Sequence, residues 1–478
     1  MMAETSGRGV LARLKDAGAA LATTTQSRLS DDTVRLAVTG LSRSGKTVFI
    51  TSLIHNLLSL ARGHGKSLPP TSRSGNRGAR GLGRRNPAAA EAIARFPYAE
   101  NLAGMAADDP RWPPRTADIA QISLKLVMRR AMSGISKVLR DREVTLEILD
   151  YPGEWLIDLP LLDSSYAQWS REVLGATSVG SRSDLARPFL EFLQGIDADA
   201  PADDATAYRA HALYKEYLEA CRDRQGLRFL QPGRFLCPGP WGDLPLLWFA
   251  PLHGALDKPK PGSLAALMNS RFEAYKSDVK AKFFEPHFQR FDRQIVLVDV
   301  LGALNAGQDS FEDTHRAIGD IALAFEHGGG SLLSRAFGKK IDRVYFASTK
   351  SDHVPEGKRD ALQLLLRHLA GNAWDGISSK RSKLGFGSIA SVRCTVDDIA
   401  SVEGQSVAVV KGLVMGSDVP KKLFPGDIPI KPPSSEFWAN ALFTMPAFQP
   451  PKLDPGGTAG IPHIDLDVAL AFLVGDKL

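Results

Sequence analysis

Gly40-Leu-Ser-Arg-Ser-Gly45-Lys46-Thr47 leaves few folds open to this chain. The run fits glycine, four residues, then Gly-Lys-Ser/Thr, a phosphate loop that works only between a buried strand and a helix. Both neighbours are there: Val34 to Thr39 reads as a short buried strand, and Val48, Phe49, Leu53, Ile54, Leu57 and Leu58 recur at helical spacing. Glycines let the backbone curl so that its N–H groups and the helix N-terminus face a phosphate. Lys46 adds a point charge, and the Thr47 hydroxyl can ligate Mg2+. The candidate phosphate contacts are Gly40, Ser42, Arg43, Ser44, Gly45, Lys46, Thr47 and Val48.

About a hundred residues further on, Val144, Leu146 and Ile148 alternate with Thr145 and Glu147 in a strand that ends at Asp150-Tyr-Pro-Gly153. An acid at a strand end beside a phosphate loop can hold a magnesium-bound water, and Gly153 leaves the backbone free to sense a γ-phosphate. Between the two lies Trp112-Pro-Pro-Arg115-Thr116, a rigid loop leading into the alternating strand Ile122 to Met128. Thr116 stands where a switch threonine completes a magnesium shell, so Thr47, Thr116 and Asp150 form the candidate metal set. Arg115 can serve as an arginine finger in cis or simply pair with a surface carboxylate. Glu154 replaces the water-orienting Gln of Ras-like hydrolases, which makes slow hydrolysis the expectation.

Thr349-Lys350-Ser351-Asp352 follows the apolar run Val344 to Ala347. A carboxylate at 352 can accept two hydrogen bonds from a guanine edge and meets a repulsive pattern on adenine. Hydrogen bonds to a charged group, worth ~1.5–3 kcal/mol, favour guanine by roughly ten- to a hundredfold. Thr349 stands where an Asn usually ties this motif to the phosphate loop, and the alternative for Asp352 is a helix cap. Val392 and Arg393, in Ser391 to Thr395, are candidates for a base-contacting loop.

The succession of strands and helices reads as an α/β, Ras-like phosphate-loop core interrupted by a long helical insertion. The boundaries are 1–30, an N-terminal amphipathic helix; 31–154, the first part of the core; 155–292, the insertion; 293–412, the second part; and 413–478, an extended arm with a closing helix at Leu466 to Val474. Within the insertion, helices are expected over Leu156–Leu174 and Thr206–Arg222, with an apolar stripe at Leu264, Leu267, Met268, Phe272, Tyr275, Val279 and Phe283. Pro232 to Gly262 reads as irregular, its Trp241, Trp248 and Phe249 buried or facing a partner. The 478 residues are 44% hydrophobic and 23% charged, which excludes wholesale disorder and a polytopic membrane protein. The three cysteines match no zinc spacing and no disulfide framework. Of the net charge of +6, seven positive charges sit in Ala61 to Pro87, which carries no acid and reads as a mobile basic loop. Simple solubility or an anionic lipid surface fits that loop; nucleic acid fits it poorly, because no aromatic residue is interleaved to stack on bases. The chain reads as cytoplasmic, peripheral contact at the inner membrane being an alternative.

With these motifs assembled, the chain resembles the YcjX family of bacterial phosphate-loop proteins. The resemblance rests on Gly40 to Thr47, Trp112 to Thr116, Asp150-Tyr-Pro-Gly-Glu-Trp155, Thr349 to Asp352, and Pro462-His-Ile-Asp-Leu466 through Gly475-Asp-Lys-Leu478. It implies a Ras-like core with a helical insertion, a stress-associated role and a genomic link to a membrane protein. Family members have been labelled both GTPase and ATPase, so GTP/GDP with Mg2+ is the first expectation and ATP the alternative. A third is a nucleotide-gated scaffold at the membrane surface, without turnover.

Overall fold

The computed structural model describes residues 33–61, 79–84, 94–128, 142–239, 242, 244–287, 290–326, 341–371, 383–440, 443, 445–454 and 460–477. The N-terminal helix expected within 1–30, Trp241 and most of the basic segment lie outside these residues. Part of that segment is described, and it departs from the loop expected: Ala79–Arg84 is a strand, β2, at the edge of the main sheet.

The sheet is built around β1 (Thr33–Gly40). Its other strands are β3 (Ala94–Arg95), β4 (Ala120–Met128), β5 (Arg142–Asp150), β6 (Arg293–Val298), β7 (Arg343–Ser348) and β8 (Lys383–Ser388). The order is β2-β4-β5-β1-β6-β7-β8, with β3 beside β4. From β5 to β8 all pairings are parallel, while β4 runs antiparallel to β5. Parallel strands need both faces covered, and β6 is buried at every position. On one face lie the phosphate-loop helix Lys46–Ala61 and the closing helix Leu466–Val474, which packs Leu466, Leu470 and Leu473 against the sheet. On the other, Val300–Ala306 and Arg359–Ala370 cover Val296, Val298 and Phe346.

Register sets the site. Val38 pairs with Asp150, Gly40 with Leu297, and Ala120 with Asp150. The phosphate loop, the loop before β4 and the turn after β5 therefore all leave the sheet at one end.

Between β5 and β6 the chain forms a helical body around Trp169, which stacks on Phe272 at 5.2 Å. The expected stripe at Leu264 to Phe283 is its core, Leu267 alone only partly buried. The helix expected from Leu156 instead opens as two 3-10 turns, Gly153–Asp158 and Pro160–Asp163. The α-helix begins at Tyr166, where the Ser165 hydroxyl accepts the Gln168 N–H. The helix Asp204–Arg224 matches expectation, and an unforeseen one, Arg182–Gln194, accommodates Pro188. Phe249 is buried and Trp248 partly so.

A second, antiparallel sheet of β9 (Thr395–Val402), β10 (Gln405–Gly412) and β11 (Lys421–Leu423) stands beside the first and was not legible as such. Glu403 and Gly404, both at positive φ, form the tight turn between β9 and β10. Its third strand belongs to the segment read as an extended arm, which also holds the short helix Ser435–Asn440. Among the described residues no helix is long and apolar enough to cross a membrane.

Candidate functional site: a cleft over the phosphate loop

The loop after β1 keeps its curl through contacts only glycine allows. At Gly40, φ is +149° and a Cβ would stand 2.3 Å from the Leu297 carbonyl oxygen. Arg43 takes a left-handed conformation, and Ser44 N–H closes the turn on Leu41 O at 3.2 Å. Lys46 folds back so that its Nζ donates to the carbonyls of Gly40 (3.0 Å) and Leu41 (3.3 Å). Burial lowers its pKa, with Glu154 and Asp150 pulling the other way.

The three residues of the candidate metal set meet. Thr116 Oγ1 donates to Asp150 Oδ2 at 3.0 Å and lies 3.0 Å from Thr47 Oγ1, itself 3.4 Å from the same carboxylate oxygen. Among the described residues Asp150 Oδ1 is buried with no partner of hydrogen-bond geometry. Burial pushes the Asp150 carboxyl up to about 6, Lys46 and the two threonine hydroxyls opposing. Hard oxygens converging beside an unsatisfied buried carboxylate oxygen fit a small divalent cation such as Mg2+.

Gly153 packs directly on the phosphate loop, where a Cβ would lie 2.2 Å from Gly40 O and 2.8 Å from Lys46 Nζ. The next residues turn into the helical body. Trp155 is buried, its indole N–H donates to Cys237 O at 2.7 Å, and Phe283 meets it edge-on at 5.1 Å. Arg234 stacks its guanidinium over the Trp155 ring at 4.0 Å.

At the far end, Lys350 holds a left-handed conformation and its Nζ pairs with Asp299 at 2.5 Å. Burial opposes ionisation of Asp299, but the Lys350 ammonium and the Gly302 N–H hold its pKa below the ordinary value. Thr349 ties back to β6, its N–H donating to Val298 O at 2.9 Å, instead of reaching the phosphate loop. Asp352 is buried, and its Oδ2 accepts the Cys394 N–H at 2.8 Å.

A cleft of about 310 Å³ joins these parts. Ser42 to Val48 floor it; Trp112, Arg115 and Thr116 form one side; Gly153 and Glu154 close one end, and Lys350, Asp352 and Val392 the other. Gly40 and Asp150 lie beneath the lining, acting through close approach and hydrogen bonds. Arg115 is 43% exposed and 3.7 Å from Asp223, the surface pairing foreseen for it. Arg393 is not among the residues lining the cleft; its side chain donates to Thr395 O and to the Asp397 carboxylate on β9. Sequence reasoning missed His353, Ala447 and Phe448, which line the cleft together with Ser391 and Cys394. Ser391 and Cys394 lay inside the run flagged as a base-contacting loop, whereas nothing in the arm's composition marked Phe448.

A phosphate-loop turn feeding a helix at the centre of a parallel-dominated α/β sheet is consistent with a nucleotide-binding protein of the phosphate-loop class. The family model described as "YcjX-like family, DUF463" matches residues 34–478, and the chain belongs to that family. A protein of Escherichia coli (strain K12) named "Ras-like GTPase YcjX" is 37% identical over 455 residues, covering 94% of this chain and 96% of that protein. A second of the same name, from Shewanella oneidensis, is 33% identical over 467 residues, again covering 94% and 96%.

Proposed function

We propose that this chain is a magnesium-dependent, GTP-binding switch of Ras-like type that hydrolyses GTP slowly, with residues 155–292 as its inserted helical domain. The observation that carries the reading is the single cleft joining a phosphate loop at one end to the buried Asp352 carboxylate at the other. A phosphate-binding end opposite a carboxylate suits a purine nucleoside triphosphate, and the relatives' printed name agrees with guanine. A stress- or envelope-related role rests on the family resemblance alone.

In this reading the loop N–H groups and Lys46 bind the β- and γ-phosphates, and Lys46 exchanges its two carbonyl partners for phosphate oxygens. Thr47, Thr116 and Asp150 would hold Mg2+, which would neutralise charge on the phosphate oxygens. Water attacks the γ-phosphorus as its bond to the bridging oxygen breaks, and GDP keeps the bridging electrons. Glu154 accepts a hydrogen bond from that water, whose proton ends on the released phosphate, but unlike the Gln it replaces it carries no N–H to donate to a phosphate oxygen, and slow turnover is expected on that ground. Arg115 reaches the transferred phosphoryl group by leaving Asp223; exposed pairs hold by only ~0–1 kcal/mol, so the exchange costs little. Gly153 senses the γ-phosphate, and Trp155 conveys its movement to the helical body.

One observation favours ATP: with Thr349 tied to β6 and one Asp352 oxygen engaged by Cys394, the guanine-reading geometry is less complete than usual. Competition of GTP, GDP, ATP and ADP against a fluorescent guanine nucleotide, in wild type and Asp352→Asn, decides. Loss of roughly ten- to a hundredfold guanine preference in the variant supports the GTPase reading. Equal or tighter ATP binding, unmoved by the substitution, hands the site to ATP.

A further inference from the structure

The base end of the cleft has a wall that neither the phosphate loop nor the Ser391 loop supplies. Ala447 and Phe448, from the segment leading toward the closing helix, line it together with Lys350, Asp352 and His353. Phe448 is 3% exposed and fixed through its backbone: it bridges Val414, while Met415 N–H donates to Ala447 O and Gln449 N–H to Leu413 O, both at 2.8 Å. Its ring meets His353 edge-on at 4.8 Å and covers Gly412, where a Cβ would come within 2.8 Å of it. Burial keeps the His353 pKa below its ordinary value, so the imidazole facing Phe448 is neutral at pH 7. The same residue reaches the other way, since Trp112 Nε1 donates to Phe448 O at 2.9 Å. Trp112 opens the loop that carries Arg115 and Thr116.

We propose that residues 445–450 form a strap completing the base end of the cleft, with Phe448 as the apolar wall on which the purine packs. The Trp112 hydrogen bond anchors the first switch loop to this strap, so a segment far from the phosphate loop in sequence sets how long a nucleotide stays bound. The inference rests on the purine-nucleotide reading of the cleft and goes beyond it by naming a second, non-motif determinant of affinity. Packing a base on an aromatic ring is worth about ten- to a hundredfold in affinity. Because the wall touches the base and no phosphate, its effect is equal for GDP and GTP. Losing the indole N–H alone costs about fivefold.

The test displaces a methylanthraniloyl-labelled GDP or GTP analogue from the full chain by excess unlabelled nucleotide. It compares wild type, Phe448→Ala, Phe448→Leu and Trp112→Phe, and follows each fold by circular dichroism. Inorganic tripolyphosphate competition serves as a phosphate-only probe. Phe448→Ala is expected to release both nucleotides at least about tenfold faster and Trp112→Phe about fivefold faster, with the tripolyphosphate affinity of the Phe448 variants within about twofold of wild type. Should Phe448→Ala not fold, Phe448→Leu keeps most of the apolar volume without the flat ring and is read in its place. A folded Phe448 variant with the wild-type release rate, or one that loses tripolyphosphate and nucleotide equally, overturns the strap. Wild-type protein that binds no purine nucleotide overturns the underlying reading instead, so the two failures are told apart.

Discussion

At residue 233 a glycine is required by an approach and not by a turn. A Cβ there would stand 1.8 Å from the Glu154 carbonyl oxygen and 3.1 Å from Ile157. The contact is where the helical body touches the turn after β5, so Gly233→Ala must push the two apart. The expected cost is ~1–3 kcal/mol of stability, with turnover falling further than nucleotide affinity, because the phosphate loop itself is untouched. Denaturant unfolding alongside steady-state phosphate release checks this; wild-type values for both would sink it. At this scale the sequence was informative wherever chemistry demands a residue type. Lys46, Thr47, Thr116 and Asp150 could be picked out because a phosphate-loop reading prescribes residue types at those positions, and the last three do come together. Gly233 and Phe448 could not, since their roles depend on which distant backbone comes near. The pairing of Arg393 with Asp397 was not legible either, because Asp397 sits on a strand that had not been recognised.

Among the elements, the 3-10 turn Gly153–Asp158 carries a buried acid that ties it to the helix Leu264–Val279. Tyr275 Oη donates to Asp158 Oδ2 at 2.5 Å and the Gly233 N–H to Oδ1 at 2.7 Å. Burial still pushes the carboxyl up to about 6, against those hydrogen bonds and the nearby Arg234. An acid whose folded pKa exceeds its unfolded one contributes stability that is full below the unfolded value of 3.8 and is lost as pH rises through about 6. Between pH 5 and pH 8 the wild type should therefore lose on the order of 1 kcal/mol more than Asp158→Asn. Asp150 titrates in the same window in both proteins and cancels in the comparison. Melting curves at the two pH values test this, and parallel losses would place the titration elsewhere. The elements that sequence reasoning missed share a cause. Pro188 reads as a breaker, yet the helix Arg182–Gln194 runs through it. Conversely, Pro160 lies within the span read as one helix, which the chain divides into two 3-10 turns before Ser165 caps Tyr166–Ala176. The tight turn Glu403-Gly404 was a usable hairpin signal, obscured by assigning that stretch to the core.

Across the whole molecule, distant segments converge on Arg293 at the start of β6. Its guanidinium is 2% exposed and bonds to Leu473 O at 2.8 Å, Asp342 at 2.7 Å and Asp476 at 2.9 Å. Asp476→Ala leaves part of that buried charge unmet and should cost ~1–3 kcal/mol. Asp257→Ala, which removes the exposed partner of Arg171, should cost at most ~1 kcal/mol. Equal shifts in unfolding midpoint would show that the Arg293 site is better hydrated than its burial implies. The fold's outline was legible because strand, loop and helix follow in order, but the closing helix could be seen only as a helix, not as a partner of Arg293. The phosphate-loop helix is sealed in the same way: Asn56 exchanges two hydrogen bonds with Ile461, 405 residues away. During synthesis the phosphate loop therefore leaves the ribosome long before the segment that seals its helix exists. The nascent chain must carry the uncovered apolar surface of that helix through almost all of translation.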